Sequence, residues 1–356
     1  MSTEAVASSP RPAAGARWRS DARIVRTLRF GLGVWVSSLL AFVFQWPLFF
    51  LTPVLAAFFL SLPLPAPTGW NAVRLFWHIV AAFAIGLVFS QFLLPYPMVF
   101  VVLLGLALFH SYYRLNRGGS VLFAIMSLIA LLLLPMLALS HQAVSEGTAN
   151  WFIFSAGLAV LTYLLAHELL PDPGNTRGLP PGRGFNPAYS PPAARAALKS
   201  TLAVMPIALL FLTLQLTGEI LVMIFAAIFS LSPQAAKGRE AGLKSLTSTF
   251  IGGGVSLLFY ALIVAVPSIW FFAVLLAITT LGFGAAIFSG RPYAKYMASA
   301  MIAVLILIGG AMGEDVDFAD KLVTRIVLIG LATLWVVTAL SLLERWLDRP
   351  DRETVA

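Results

Sequence analysis

The chain has 356 residues, 60% hydrophobic and only 11% charged, with a formal net charge of +8 and a mean hydropathy of +0.91. A soluble domain is about half apolar and about a quarter charged. It could not bury this much apolar surface, so the composition excludes a soluble enzyme, a DNA-binding factor and a single-span receptor. There is no cysteine, hence no disulfide, thiolate metal site or thiol nucleophile.

Residues 1–26 are rich in Ala, Pro, Ser and Arg and contain no apolar run. They read as a cytoplasmic tail rather than a cleavable signal. Apolar runs then predict helices over 27–45, 47–64, 72–94, 96–113, 118–139 and 149–170. A linker over 171–193 follows, with seven prolines and four glycines that neither helix nor strand tolerates. Further runs lie at 194–215, 219–232, 241–266, 268–289, 292–312 and 321–343, before a tail over 346–356. The expectation is an all-α polytopic membrane protein of about twelve transmembrane helices, with Pro135 kinking the fifth.

With twelve spans and the N-terminus inside, 21 of the 23 basic residues fall on the inner side. Only Lys321 and Arg325 fall outside. This asymmetry points to an even span number with both termini cytoplasmic. Trp46, Tyr96, Trp151 and Trp270 fall near the outer interfaces, as an aromatic belt does.

The two halves match at an offset of 170: Arg29 with Lys199, Gln45 with Gln215, Ala56-Ala57-Phe58-Phe59 with Ala226-Ala227-Ile228-Phe229, and Arg74 with Lys244. The offset drifts to 174 (Arg117 with Arg291) and then 176 (Glu168 with Glu344), as small loop insertions produce. Six spans is an even number, so the repeats insert the same way up, over 27–170 and 194–345.

Motifs that resemble chemistry fail on detail. His167-Glu168-Leu169-Leu170-Pro171 lacks the second histidine of a zinc-protease helix. The stretch from Gly238 to Ser245 lacks the spacing of a phosphate loop. The acidic run at 314–320 lacks the glycine turn and distal glutamate of a calcium loop and reads as a solvated outer loop. No cofactor, metal, nucleic-acid or catalytic site is expected. Glycines at Gly252-Gly253-Gly254, Gly282/Gly284 and Gly309/Gly310/Gly313 read as helix-packing positions.

No charged residue lies near the middle of a span, which argues against a buried carboxylate relay. The candidate substrate-binding or pathway residues lie at span ends. Arg74 opens the third segment, with His78 one turn deeper. Lys244 opens the ninth, with Ser248 one turn deeper at the repeat-equivalent place. His110 lies at similar depth. Together these would form a cationic inner vestibule for carboxylates; Arg74 and Lys244 as snorkelling anchors is the plainer reading. Gln45 and Gln215 mark outer span ends, and Arg325 would receive an anion on the exit side or snorkel.

Pro63, Gly69, Arg74 and Gly86, echoed by Pro233, Gly238, Lys244 and Gly252-Gly253, together with Ser289 to Tyr296, resemble the six-span repeat of the fusaric-acid-resistance and aromatic-acid-exporter superfamily. The resemblance covers roughly 20–345; larger members carry a sizeable cytoplasmic domain where this chain has only its linker. It implies export of aromatic or other organic acids across the bacterial inner membrane, with a periplasmic membrane-fusion adaptor and an outer-membrane channel. Three other readings remain: a passive anion channel, a membrane-embedded transferase, and an assembly subunit whose two halves meet at an apolar, closed interface. Homo-oligomerisation is left open.

Overall fold

The computed structural model describes residues 21–62, 67, 69–173, 185–216, 220–311 and 318–347, without the side chains of 221, 310, 311, 318–321 and 347. The two tails over 1–20 and 348–356, Pro63, residues 174–184 of the linker, Gly313, most of the acidic loop and the Lys321 side chain lie outside that description.

Twelve α-helices are described: α1 Ala22–Phe44, α2 Leu51–Ser61, α3 Gly69–Val88, α4 Pro97–Asn116, α5 Val121–Ser140, α6 Gln142–Leu169, α7 Pro191–Leu214, α8 Ile220–Phe229, α9 Ala235–Ala265, α10 Ile269–Ile287, α11 Ala294–Ala311 and α12 Phe318–Leu347. All twelve expected runs are helical, and no strand occurs among the described residues. The protein is an all-α polytopic membrane protein. The helix limits follow local chemistry. Asp21 caps α1 by accepting from the Arg23 N–H at 2.9 Å, and Ser120 caps α5 by accepting from Phe123 N–H at 3.3 Å. Pro97 opens α4, where its missing N–H costs nothing. Pro135 lies buried inside α5, which runs on to Ser140.

The six-helix repeat is visible in backbone detail. Gln45 ends α1 at φ 45° and Gln215 ends α7 at φ 52°, both left-handed. Gly118 after α4 and Gly290 after α10 take φ 82° and 70°, a conformation glycine adopts without Cβ strain. In each half the third helix presses a glycine onto an alanine carbonyl of the fifth. A Cβ at Gly86 would lie 2.8 Å from the Ala130 oxygen, and one at Gly252 would lie 2.5 Å from the Ala300 oxygen. Small residues let helix backbones approach where lipid supplies no hydrophobic drive.

Packing repeats as well. In each half the third helix lies on the fifth and sixth, and the second on the sixth. Between halves, α1 packs on α10 as α7 packs on α4, and α2 packs on α11 as α8 packs on α5. Both apolar core clusters mix helices of the two halves. The seam between them is therefore apolar and packed.

Nine of the described helices are long and apolar enough to cross a membrane. The second helix of each half is shorter than a full span. α2 has 11 residues and α8 has 10. At about 1.5 Å per residue they cover about half of a ~30 Å hydrocarbon layer. α11, with 18 residues, falls only slightly short. α2 nevertheless runs antiparallel to α1. Thr52 lies beside Ser155 of α6, and a Cβ on Gly33 of α1 would meet Leu60. Irregular backbone at membrane depth must be buried in protein. Eight of the eleven α2 residues are buried. At the end of α8, Ser230 N–H turns back to Ala226 and Leu231 N–H to Ile228, which frees the Ala227 carbonyl. Tyr112 of α4 donates its hydroxyl to that carbonyl at 2.8 Å, and Ser200 of α7 donates to the Ser230 carbonyl at 2.6 Å.

Cross-contacts fix which helix ends share a face of the bundle. Arg26 and Arg29 reach Asp172 just after α6; His78 and Phe123 are in ring contact; Ser190 N–H donates to Tyr113; Ala235 N–H donates to Glu344. The described basic side chains other than Arg325 thus gather at one end. Gln91 and Glu146, joined at 3.0 Å, mark the other.

Candidate functional site

Arg74, His78, Lys244 and Ser248 of the expected cationic vestibule lie on α3 and α9, which pack mainly within their own halves. α3 packs on α5 and α6, and α9 packs on α11 and α12; α3 and α9 are not packed together. Arg74 and Lys244 are exposed at two separate corners. His78 is half-buried against Phe123, with the charges of Arg74 and Arg114 close by. His110 is exposed, with Nδ1 3.1 Å from the Leu106 carbonyl of its own helix. Ser248 is buried and donates to the Tyr296 carbonyl at 3.1 Å, holding α9 to α11. Gln45 and Gln215 are exposed helix-ending residues. Arg325 of α12 has its guanidinium 6.0 Å from the Phe225 ring of α8.

The structure instead opens a slot inside the first repeat. It lies between α1 and α6, beside the start of α2, with a volume of about 380 Å³. One wall is Leu32, Val36 and Leu40 of α1, and the other is Leu158, Leu161 and Leu165 of α6. Gly33 lines it too, where an added Cβ would run into the Leu60 side chain of α2. Val36, Leu161 and Leu165 are exposed, so the slot opens along one side to the surface of the bundle. It runs from Arg29 past Leu40 to Trp46, and the Arg29–Leu40 stretch alone is about 17 Å at about 1.5 Å per residue.

Each end of the slot is polar. Among the described residues, the buried Trp46 indole N–H has no hydrogen-bond partner. Such a donor is costly to leave unsatisfied. At the opposite end Arg29, 4% exposed, donates to the Leu170 carbonyl at 3.3 Å and to Asp172 Oδ1 at 2.9 Å. Arg26 adds a longer contact of 3.4 Å to the same oxygen, while Asp172 Oδ2 is buried without a partner among the described residues. Burial pushes the Asp172 carboxyl up, but hydrogen bonds and charge from Arg29 and Arg26 outweigh it and hold the group below its ordinary value. His167 is buried nearby, with Nδ1 2.9 Å from the Tyr163 carbonyl and its ring against Tyr163.

The two halves differ here in packing. The residue matching Gly33 at the offset of 170 is Ala203 of α7, whose carbonyl accepts from the Trp335 indole N–H of α12 at 2.8 Å. The residue matching Trp335 at the offset of 176 is Ala159, which is fully buried in the core.

In sequence Arg29 reads only as one of the inner cations, paired with Lys199; its signal is an arginine set just inside an apolar run. Asp172 was hidden in the linker, although it is the first carboxylate after α6.

No curated protein and no solved structure matches the chain. Over residues 26–166, which run from the first turns of α1 into the last turn of α6 and take in the slot's lining apart from Leu169 and Leu170, the chain is similar to a family described as a protein of unknown function, DUF2955.

Proposed function

We propose that the protein is a transporter of the bacterial inner membrane that exports aromatic or other organic acids, with its basic end cytoplasmic. The observation that carries this reading is the apolar slot with Arg29 at one end and an unsatisfied indole N–H at the other. An aromatic carboxylate has the matching parts, an anion and an apolar body. In the resting arrangement Asp172 occupies Arg29 as a carboxylate would. An arriving acid competes with Asp172 for Arg26 and Arg29, lays its ring against the leucines and leaves past Trp46. The positive-inside distribution supports that orientation. Half-length helices at matching positions of two repeats are a feature of transporter folds and suit a pathway beside α2. A periplasmic adaptor and an outer-membrane channel would complete the export route, as the family resemblance implies.

The test is retention of a radiolabelled aromatic carboxylate in cells lacking the protein, with wild type or Val36→Trp restored at matched expression. Val36 lines the slot and is exposed, so added bulk obstructs the slot without overpacking the core. Wild type should lower retention and the variant should not.

One observation favours a second reading. The apolar, packed seam between the halves is what an assembly subunit without a pathway would have. Unchanged retention with wild type, across several organic acids and with the adaptor present, would favour it.

A further inference from the structure

At the basic end a second concavity, of about 280 Å³, lies between the starts of α9 and α11. Arg239, Glu240, Lys244 and Thr247 line it from α9, and Lys295 and Tyr296 from α11. Three cations against one carboxylate leave two positive charges in excess. Lys295 Nζ sits 5.0 Å from the Tyr296 ring centre, and Thr247 supplies a hydroxyl at the wall. Lysines act as compact point charges rather than a planar fork, so cations spread around a cavity suit a tetrahedral oxyanion better than a single carboxylate.

The matching corner of the first half is filled by the chain itself. Arg114 lies over the rings of Phe123 and Phe185, 5.1 and 5.6 Å from their centres, and Arg117 flanks Phe185 at 5.2 Å. The second half has no such plug among its described residues. Below its pocket, Leu243, Phe250 and Leu257 of α9 are 50%, 61% and 52% exposed and follow one another at helical spacing. A polar, cationic pocket therefore continues into an uncovered apolar stripe running towards the middle of the bilayer.

We infer that this pocket binds the phosphate of an anionic phospholipid in the leaflet at the basic end, with an acyl chain along the Leu243–Leu257 face. Basic pockets between helices at the cytoplasmic side suit such headgroups. The role is independent of the slot and of what the slot carries.

The experiment uses the full chain in nanodiscs of phosphatidylcholine with a minor share of phosphatidylglycerol, followed by native mass spectrometry of retained lipid. Arg239→Gln/Lys244→Gln/Lys295→Gln is compared with Arg23→Gln/Arg195→Gln/Arg345→Gln, which removes as many exposed cations from the same end. Lys295→Glu alone, at an exposed position, serves if the triple variant does not fold. Wild type and the charge-matched variant should retain phosphatidylglycerol, and the pocket variants should lose retention about tenfold. Equal loss in both triple variants, or full retention by the pocket variants, overturns the proposal. A third arm adds millimolar inorganic phosphate to protein in phosphatidylcholine alone and follows thermal unfolding. Protection there, matching that given by phosphatidylglycerol and lost in the pocket variants, would overturn the lipid assignment in favour of a soluble phosphate.

Discussion

The Tyr112 hydroxyl donates to the Ala227 carbonyl at 2.8 Å and so ties α4 of one half to the end of the half-length helix α8 of the other. In water that carbonyl could be left to solvent. Inside an apolar bundle it must be met by the protein. Tyr112→Phe removes the donor and little else. Thermal unfolding in detergent should show a loss of about 1–2 kcal/mol. An unchanged midpoint would mean that Ala227 finds another donor.

Arg29 and Asp172 give a pH dependence with a definite sign. The Asp172 pKa is depressed in the folded protein. Its stabilisation is complete above the unfolded value of about 3.9 and is lost as pH falls through the lower folded value. Wild type should lose stability below about pH 4 by more than Asp172→Asn does. At neutral pH, Asp172→Asn should cost about 3 kcal/mol, because it leaves the Arg29 charge buried with a neutral partner. Melting curves of both proteins over the acid range check the two statements together.

Close helix contact should fail where a side chain is inserted. A Cβ at Gly252 would lie 2.5 Å from the Ala300 oxygen and 2.9 Å from the Ala303 Cβ. Gly252→Leu should destabilise by about 1–3 kcal/mol or more and reduce the monodisperse fraction on size exclusion. Gly254, with nothing within 4 Å of an added Cβ, should accept the same change.

Much of the fold was legible because it rests on apolar period and charge placement. All twelve runs became helices, and the pairing of Gln45 with Gln215 reappears as two left-handed helix ends. The shortness of α8 was legible in its brief apolar run over 219–232, but the length of α2 was not. Leu48-Phe49-Phe50 is as apolar as the helix it precedes, so hydropathy cannot mark where α2 begins. The slot was hidden for another reason. Its walls come from α1 and α6, which are far apart in sequence, and their leucines read as ordinary span residues until α1 is known to lie on α6. Arg74 and Lys244 share a position in the repeat, but α3 and α9 pack mainly within their own halves, so that position does not bring the two together.

The sidedness can be checked by labelling, since the chain has no native cysteine. Ser120 lies at the basic end and Gln142 at the other, and both are exposed. In intact cells a membrane-impermeant thiol reagent should label Gln142→Cys and spare Ser120→Cys until the membrane is opened. The reverse pattern would place the basic end outside.

The measurement closest to the central claim is retention of a labelled aromatic carboxylate in cells carrying wild type or Val36→Trp, with equal amounts of folded protein in the membrane. Export along the α1–α6 slot requires retention to fall with wild type and to stay at the level of the empty strain with Val36→Trp. Equal export by both proteins would contradict the slot as the pathway.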